Sequence, residues 1–317
     1  MHDLSIVLVS HAEVDWLQPC LRSVFAHAGD CAMDVVVVCN GDDGSAELVE
    51  REFPSARVIR CENRGFAHAC NMGLRTGDTR YALLQNVDTE VRSGTYAHMV
   101  AALDARPEVG AAGVVQVEPD GGLLPTMRNF PSVARALGEA LGSESWPIRS
   151  SWVGERVLDR GMYDTEQACD WISGSFLVLR SEALREVGLL DERFFLYSEE
   201  LDLCLRLRQA GWGVRHLPVM TILHHANRGS GSSRLEAQNA YARRQFAEKH
   251  FSPVRRLAFG AALALGYAAR GILPLGDSRS AARRRAARAS LRVVLGAARP
   301  PFEAVSSLQS MKGGETS

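Results

Sequence analysis

The chain has 317 residues, 46% apolar and 23% charged, with a net charge of −1. This composition fits a globular protein with a real core and argues against nucleic acid as a partner of the whole molecule. Seven cysteines (Cys20, Cys31, Cys39, Cys61, Cys70, Cys169, Cys204) without a CxxC pair exclude a disulfide framework or zinc ribbon, and fit buried thiols in a reducing compartment.

Leu4–Ser10 is an apolar run of the buried parallel-strand kind, entered without a basic leader, so no signal peptide is expected. Helical spacing follows over Val14–Ala28, then a strand over Met33–Asn40 that stops at the turn Asn-Gly-Asp-Asp-Gly-Ser. Ala46–Phe53 predicts a helix, Ala56–Cys61 a strand, Phe66–Gly77 a helix and Arg80–Gln85 a strand ending in Asn86-Val87-Asp88. A helix over Thr95–Ala105 and a strand over Val109–Val117 complete the first half. Alternation at this spacing predicts an α/β fold, a Rossmann-like and mostly parallel sheet flanked by helices. Ligands of such sheets bind beyond the carboxyl ends of the strands. That singles out Ser10 and Glu13, Cys39, Asn40 and Asp42, Asn63, Gly65 and Phe66, and Asn86 and Asp88.

Residues 118–168 show no clear period and predict a crossing segment with short helices. Cys169–Arg180 returns as a strand, with Ser181 expected to cap a helix over Glu182–Val187. In Asp191–Gly211 an aromatic strand is expected to run into a helix whose first turn carries Glu199, Glu200 and Asp202. Acids suit a helix N-terminus, yet the same arrangement presents a general base at a pocket floor. Two strands, Gly213–Pro218 and Met220–His225, then a polar helix over Leu235–His250, end the body.

The tail is basic: residues 254–299 hold ten Arg and one Asp, while the first 253 residues carry a net −9. Leu257–Ala269 is apolar but too short to span a membrane, and Arg279–Leu295 is amphipathic. Such a segment either lies on an anionic membrane surface or packs on the domain with its Arg residues solvated. The division expected is a domain over 1–250 (halves 1–117 and 118–250), a helical tail over 251–300 and a disordered end over 301–317.

Asp88 at a strand end, with Asn86 two residues earlier, suits Mg2+ or Mn2+ bridged to phosphate oxygens. The His224-His225 pair ends a later strand before a Gly/Ser loop at 227–230, and imidazole beside carboxylate suits Mn2+. Trp171 followed by Gly174 offers either core packing or a wall for a sugar ring, and Gly65 before a helix can face a phosphate.

Asn63–Gly73 (NRGFAHACNMG), Leu84–Val91 (LQNVDTEV), Trp171–Arg180 (WISGSFLVLR), Asp191–Gly211 and Pro218–His225 occur in the order and spacing of family 2 glycosyltransferases. Over about residues 4–250 the chain resembles the rhamnosyltransferase-type branch, which builds bacterial cell-wall and surface polysaccharide. The resemblance implies a GT-A fold with a C-terminal helical tail and a nucleotide-diphosphate sugar donor, with dTDP-rhamnose the first guess. It also implies inversion and a glycan or polyprenyl-diphosphate-linked acceptor. Asp88, Asn86 and His224 match the metal site, for Mn2+ or Mg2+, and Asn71 lies within the donor-side motif. Glu199-Glu200 matches the family's Glu-Asp pair, leaving either Glu200 or Asp202 as base. Cys39 stands where the family has an Asp for the nucleobase, and Asp42 or Asp43 is the expected substitute. The implied location is cytoplasmic, peripheral at the inner face of a bacterial plasma membrane, with homo-oligomers possible in principle. A degenerate binding or scaffold subunit and a sugar-nucleotide pyrophosphorylase are the alternatives. The second would need a Gly-rich basic loop where Ser10-His11-Ala12-Glu13 stands.

Overall fold

A computed structural model describes residues 2–141, 153–225, 232–272 and 280–303. The expected Gly/Ser loop at 227–230 and most of the expected disordered end lie outside the described residues. In chain order the elements are β1 (Leu4–Ser10), α1 (Val14–Ala26), β2 (Met33–Cys39), α2 (Ser45–Glu52), β3 (Arg57–Arg60), α3 (Phe66–Leu74) and β4 (Tyr81–Asn86). There follow β5 (Thr89–Ser93), α4 (Tyr96–Asp104), β6 (Val109–Val117), β7 (Met127–Arg128), α5 (Val133–Ala140), β8 (Gln167–Ala168), β9 (Trp171–Ile172) and β10 (Phe176–Arg180). The chain ends with α6 (Ser181–Val187), α7 (Glu199–Gln209), β11 (Gly213–His224), α8 (Ser233–His250), α9 (Pro253–Ile272) and α10 (Ser280–Val294).

The main sheet runs β3-β2-β1-β4-β10-β6-β11-β5, with β8 paired to β11. β1 to β4 pair in parallel, as their continuous apolar runs predict. β10 is antiparallel to both β4 and β6, and β5 is antiparallel to β11. One face packs α1, α2 and α4 over Leu4, Ile6, Leu8 and Val37. The other packs α3, α6 and α7 over Val7, Val36, Leu177 and Leu179. Each fully buried Leu or Ile stabilises the fold by about 1.5–3 kcal/mol.

Four expectations are corrected. β5 lies where the sequence marks no element, and a tight turn at Val87-Asp88 leads into it. Gly213–His224 is one strand, whose register shifts between His216 and Thr221 where exposed Pro218 has no N–H to give. Cys169–Arg180 divides into β9 and β10, and Ser181 is the first residue of α6, not its cap. Residues 192–193 form a turn and 195–198 bends, in place of an aromatic strand, with Tyr197 and Ser198 both left-handed at φ 71° and 69°.

The tail helices are docked. Phe259, Ala262, Leu263 and Tyr267 of α9 pack with Ala136 of α5 and Ala240 and Ala247 of α8, joined by Leu291 and Val294 of α10. Phe302, within the span expected to be disordered, stacks on Phe195 with ring centroids 5.1 Å apart.

Candidate active site

Strand register brings the first pair together. His224 pairs with Thr89 across β11 and β5, so Asp88, one residue before Thr89, lies beside His224. His224 Nε2 is 3.3 Å from Asp88 Oδ1, and both residues are buried. Behind them, His224 Nδ1 lies 3.1 Å from Gln116 Oε1, which also accepts from Ser175 Oγ at 2.9 Å. With that oxygen accepting, Nδ1–H is the donor, and Nε2 is the ring atom turned toward the Asp88 carboxylate. An imidazole nitrogen beside a carboxylate oxygen is a donor pair that suits a divalent ion, while among the described residues no group of three or more His, Cys, Asp or Glu side chains gathers to hold one. Asn86 ends β4, its N–H donating to the Ser175 carbonyl at 3.0 Å and its own carbonyl accepting from Thr89 Oγ1 at 2.7 Å. Next to this pair, His225 Nε2 lies 3.0 Å from Glu90 Oε1, and its ring is 4.1 Å from that of Trp16.

The ends of β1 and β2 form a second group. Ser10 Oγ is 2.8 Å from Ser45 Oγ and is buried there. Glu13 caps α1 by position only, while Asp43 accepts from Val14 N at 3.0 Å and Ser45 N at 3.2 Å. Asp43 therefore holds two helix starts, and exposed Asp42 is the acid left facing solvent. Burial pushes the Cys39 thiol up to about 12, so it is neutral and a weak acceptor. The neighbouring Asn40 has a buried Oδ1 without a hydrogen-bond partner among the described residues. His11 Nδ1 sits 3.2 Å from the Asn40 carbonyl, and Asn63 Nδ2 lies 3.4 Å from His11 Nε2.

Gly65 joins this group to the helix bearing the acids. Its φ is +108°, and a Cβ there would stand 2.6 Å from the Phe195 carbonyl oxygen, which accepts from Phe66 N at 2.6 Å. Asn71 departs from the donor-side expectation. Its carboxamide donates to the Leu190 carbonyl (2.9 Å) and Glu192 (3.0 Å) and accepts from Leu190 N (3.1 Å), so it pins the 190–192 turn instead of facing a ligand.

The Phe195 anchor leads to the strained Tyr197-Ser198 pair and then to α7. Three of the helices are capped by a hydroxyl: α4 by Thr95, α5 by Ser132 and α8 by Ser232. Left-handed Ser198 makes no such bond, and the acids of the first turn take its place. The three acids have different surroundings. Asp202 is 0% exposed and meets His250 at 2.7 Å, Lys249 at 2.6 Å and Arg206 at 2.9 Å. Burial opposes its charge, but bonds from His250 and Lys249 hold its carboxyl below the usual range. Burial raises both Glu199 and Glu200, and the charge of Glu200 pushes Glu199 further. Glu200 accepts from the N–H groups of its own helix start and of Gly174, while its Oε2 has no partner among the described residues. Gly174 lies flat on the Glu200 side chain, where a Cβ would be 3.6 Å away.

Glu200 lines a cavity of about 370 Å³ with Trp171, Arg128, Arg156 and Arg243. Trp171 donates from Nε1 to the Asn129 carbonyl at 3.0 Å, and the Arg128 guanidinium lies 5.7 Å from its ring centroid. Gln116 had a signal in the sequence, a lone amide in the apolar run Val109–Val117. The arginines come from short irregular strands and a polar helix, where no spacing marks them.

Residues 5–166 match the family description Glycosyl transferase family 2. The chain is 30% identical over 241 residues to N-acetylglucosaminyl-diphospho-decaprenol L-rhamnosyltransferase of Mycobacterium tuberculosis, covering 72% of this chain and 78% of that protein. It is 21% identical over 241 residues to Rhamnosyltransferase WbbL of Escherichia coli K12, covering 72% and 85%. Mannosyltransferase PcManGT from Pyrobaculum calidifontis, solved in complex with GDP-Man and Mn2+, has a TM-score of 0.55 at 13% identity, covering 93% of this chain and 88% of that one. The fold is thus shared, and the pyrophosphorylase and scaffold alternatives gain no support.

Proposed function

The chain belongs to glycosyltransferase family 2, and we propose that it transfers a sugar, rhamnose from dTDP-rhamnose as the first choice, to a hydroxyl of a polyprenyl-diphosphate-linked glycan. The observation that carries the chemistry is the division of labour among the acids of α7. Asp202 is closed in by three cations, whereas Glu200 keeps an unpaired oxygen and lines a cavity. Glu200 is therefore the base.

The acceptor hydroxyl loses its proton to Glu200 as its oxygen forms a bond to the anomeric carbon. The bond from that carbon to the diphosphate breaks on the opposite face, and the nucleoside diphosphate leaves with inversion. Asp88 and His224 would hold a divalent ion, Mn2+ or Mg2+, with Gln116 fixing the His224 ring. When bound, that ion neutralises the charge developing on the diphosphate. Asn40 Oδ1, buried and unpartnered, accepts from the nucleobase where Cys39 cannot. Trp171 beside Glu200 supplies the wall for the acceptor sugar.

Peripheral membrane binding at the inner face fits α9. Val254 (80% exposed), Leu257, Leu265 and Ile272 (77%) lie on one stripe of this helix, with Arg255 and Arg256 beside it. Among the described residues no helix is long and apolar enough to cross a membrane. A thermal-shift panel of nucleotide sugars with Mn2+ or chelator tests the donor, followed by transfer to a prenyl-diphosphate-linked N-acetylglucosamine. Stabilisation by dTDP-rhamnose only with metal, and its consumption only with acceptor, is expected. Indifference to every nucleotide sugar refutes the proposal. In vesicle flotation with anionic lipid, Val254→Ser with Leu257→Ser should lose binding; unchanged flotation counts against the membrane face.

A further inference from the structure

Phe302 lies beyond α10, yet its contacts reach the turn that leads into α7. Its ring stacks on that of Phe195, with centroids 5.1 Å apart and planes 6° from parallel. The Arg234 guanidinium at the start of α8 lies 4.2 Å from the centroid of the Phe302 ring, and the Phe302 N–H donates to Gln238 Oε1 at 3.1 Å. Gln238 is fully buried on α8, so both the ring and the backbone of Phe302 are tied to that helix. Helix α8 also holds the two ends of the turn directly. Lys249 bonds Asp191 at 2.7 Å, Gln245 Nε2 donates to the Arg193 carbonyl at 3.1 Å, and Phe194 and Leu201 pack on Ala242 and Phe246. Phe195, between those ends, is outside that cluster. Its carbonyl accepts from Phe66 N, and its ring contact among the described residues is with Phe302.

Two strained residues depend on that hold. Tyr197 and Ser198 are consecutive and left-handed, and Glu199 and Glu200 follow them directly. Such strain persists only where the surrounding structure over-determines it. Tyr197, Ser198 and Glu200 all line the cavity, so a relaxed turn would displace the carboxyl from its wall. Resting on the transferase reading, in which Glu200 is the base, we propose that Phe302 is a positioning residue for that base. Its stack on Phe195 keeps the 195–198 turn in the conformation that holds Glu200 at the cavity. Phe302 itself is not among the residues that line the cavity, so its effect on the rate runs through the turn. A residue beyond the last tail helix thereby sets the geometry of the reacting site, and the docked tail is part of the working enzyme.

The test is a double-mutant cycle on the full chain, read by nucleoside diphosphate release. Phe302→Ala should lower kcat by about three- to tenfold, the size of one aromatic pair, with the donor KM within about twofold of wild type. Phe302→Tyr keeps the stack and should restore kcat to within about twofold. In the Glu200→Gln background the same Phe302→Ala change should cost less than about twofold, because the group it positions is gone. A merely structural role would instead lower the rate equally in both backgrounds. Hydrogen exchange of the amides from 195 to 201 should quicken in Phe302→Ala, and this readout needs no activity. Thermal unfolding checks each variant. If Phe302→Ala does not fold, Gln238→Met removes the acceptor of the Phe302 N–H and leaves both rings, and should lower kcat by about twofold or more with the same dependence on Glu200. An unchanged kcat in the folded variants, or an equal loss with and without Glu200, overturns the positioning role. Quickened exchange in a protein whose wild type consumes no nucleotide sugar would refute the transferase reading and leave the hold on the turn. Wild-type transfer with unchanged exchange and kcat in Phe302→Ala would do the reverse.

Discussion

Glu200→Gln separates catalysis from folding at this site. In the native protein one end of the Glu200 carboxyl accepts from the Gly174 N–H and the start of α7, and Oε2 is unpaired. An amide keeps one acceptor oxygen for those donors and takes a charge away from the buried Glu199–Glu200 pair. Folding stability should therefore hold or rise, and Tm should not fall. Loss of a positioned base lowers transfer by about 10²–10⁴-fold, which is about 2.7–5.4 kcal/mol of barrier at roughly 1.36 kcal/mol per tenfold. Donor affinity should be unchanged. The assay is nucleoside diphosphate release in single turnovers, with donor titration on the same sample. Because burial raises this carboxyl, wild-type transfer should fall as pH drops through the raised value, and the residual activity of the variant should lack that acid limb. Asp202→Asn is the contrast. It strips a fully buried carboxylate from Arg206, Lys249 and His250, at a cost of about 3–5 kcal/mol, so its defect should appear first in Tm. Glu200→Gln transfer within about threefold of wild type, or an acid limb that persists, refutes the assignment.

Gly65→Ala should lower Tm and transfer together. The new Cβ would stand 2.6 Å from the Phe195 carbonyl oxygen at a φ of +108°, a strain of about 1–3 kcal/mol or more. Asp88→Asn and His224→Ala should each abolish the Mn2+ dependence of donor binding in thermal shift and lower transfer by about 10²-fold or more; retained Mn2+ dependence would move the metal elsewhere. Glu155→Gln tests the buried carboxyl of the cavity that Glu200 lines. Its pKa of about 7 in the fold exceeds the ordinary 4.5, so the native state binds the extra proton. Its stabilising contribution is then complete below about pH 4.5 and is lost as pH rises through about 7. The wild-type Tm should decline over that window relative to Glu155→Gln, and parallel curves would show that Glu155 is not the group responsible.

The parallel half of the sheet was legible because β1, β2 and β4 each hold a run of consecutive apolar residues, a pattern that suits a strand covered on both faces. β5 was not. Its five residues, TEVRS, carry two exposed side chains, and its existence depends on pairing with β11, far later in the sequence, where His224 meets Thr89. Asp88 and His224 were legible as a motif, while Gln116, which orients the histidine, needed the β6–β11 register to be placed. The bends before α7 read as a strand because Phe194, Phe195 and Tyr197 are strand formers. Local preference lost there to a tertiary bond, the Phe66 N–H donating to the Phe195 carbonyl. In the tail, amphipathy was legible but its partner was not. α9 turns one face into the domain and leaves another exposed, so both expectations for it describe part of one helix.

The start of α7 is held from two directions. On one side, Gly65 lets α3 close onto Phe195, and Phe302 stacks on the same residue. On the other side, Asp202 is clamped by Lys249 and His250 at the end of α8. Two consecutive left-handed residues with side chains, costing about 1–2 kcal/mol each, persist between these anchors because neither end can relax alone. The same strain turns Glu199 inward to full burial and leaves Glu200 against Gly174 at the cavity wall. Thus the longer side chain of Glu200, compared with the Asp of the family's pair, need not reach further into the cavity. It is folded back onto the N–H groups of its own helix and of Gly174. The extra methylene is taken up by that fold-back, which fixes one oxygen and leaves the other for a proton.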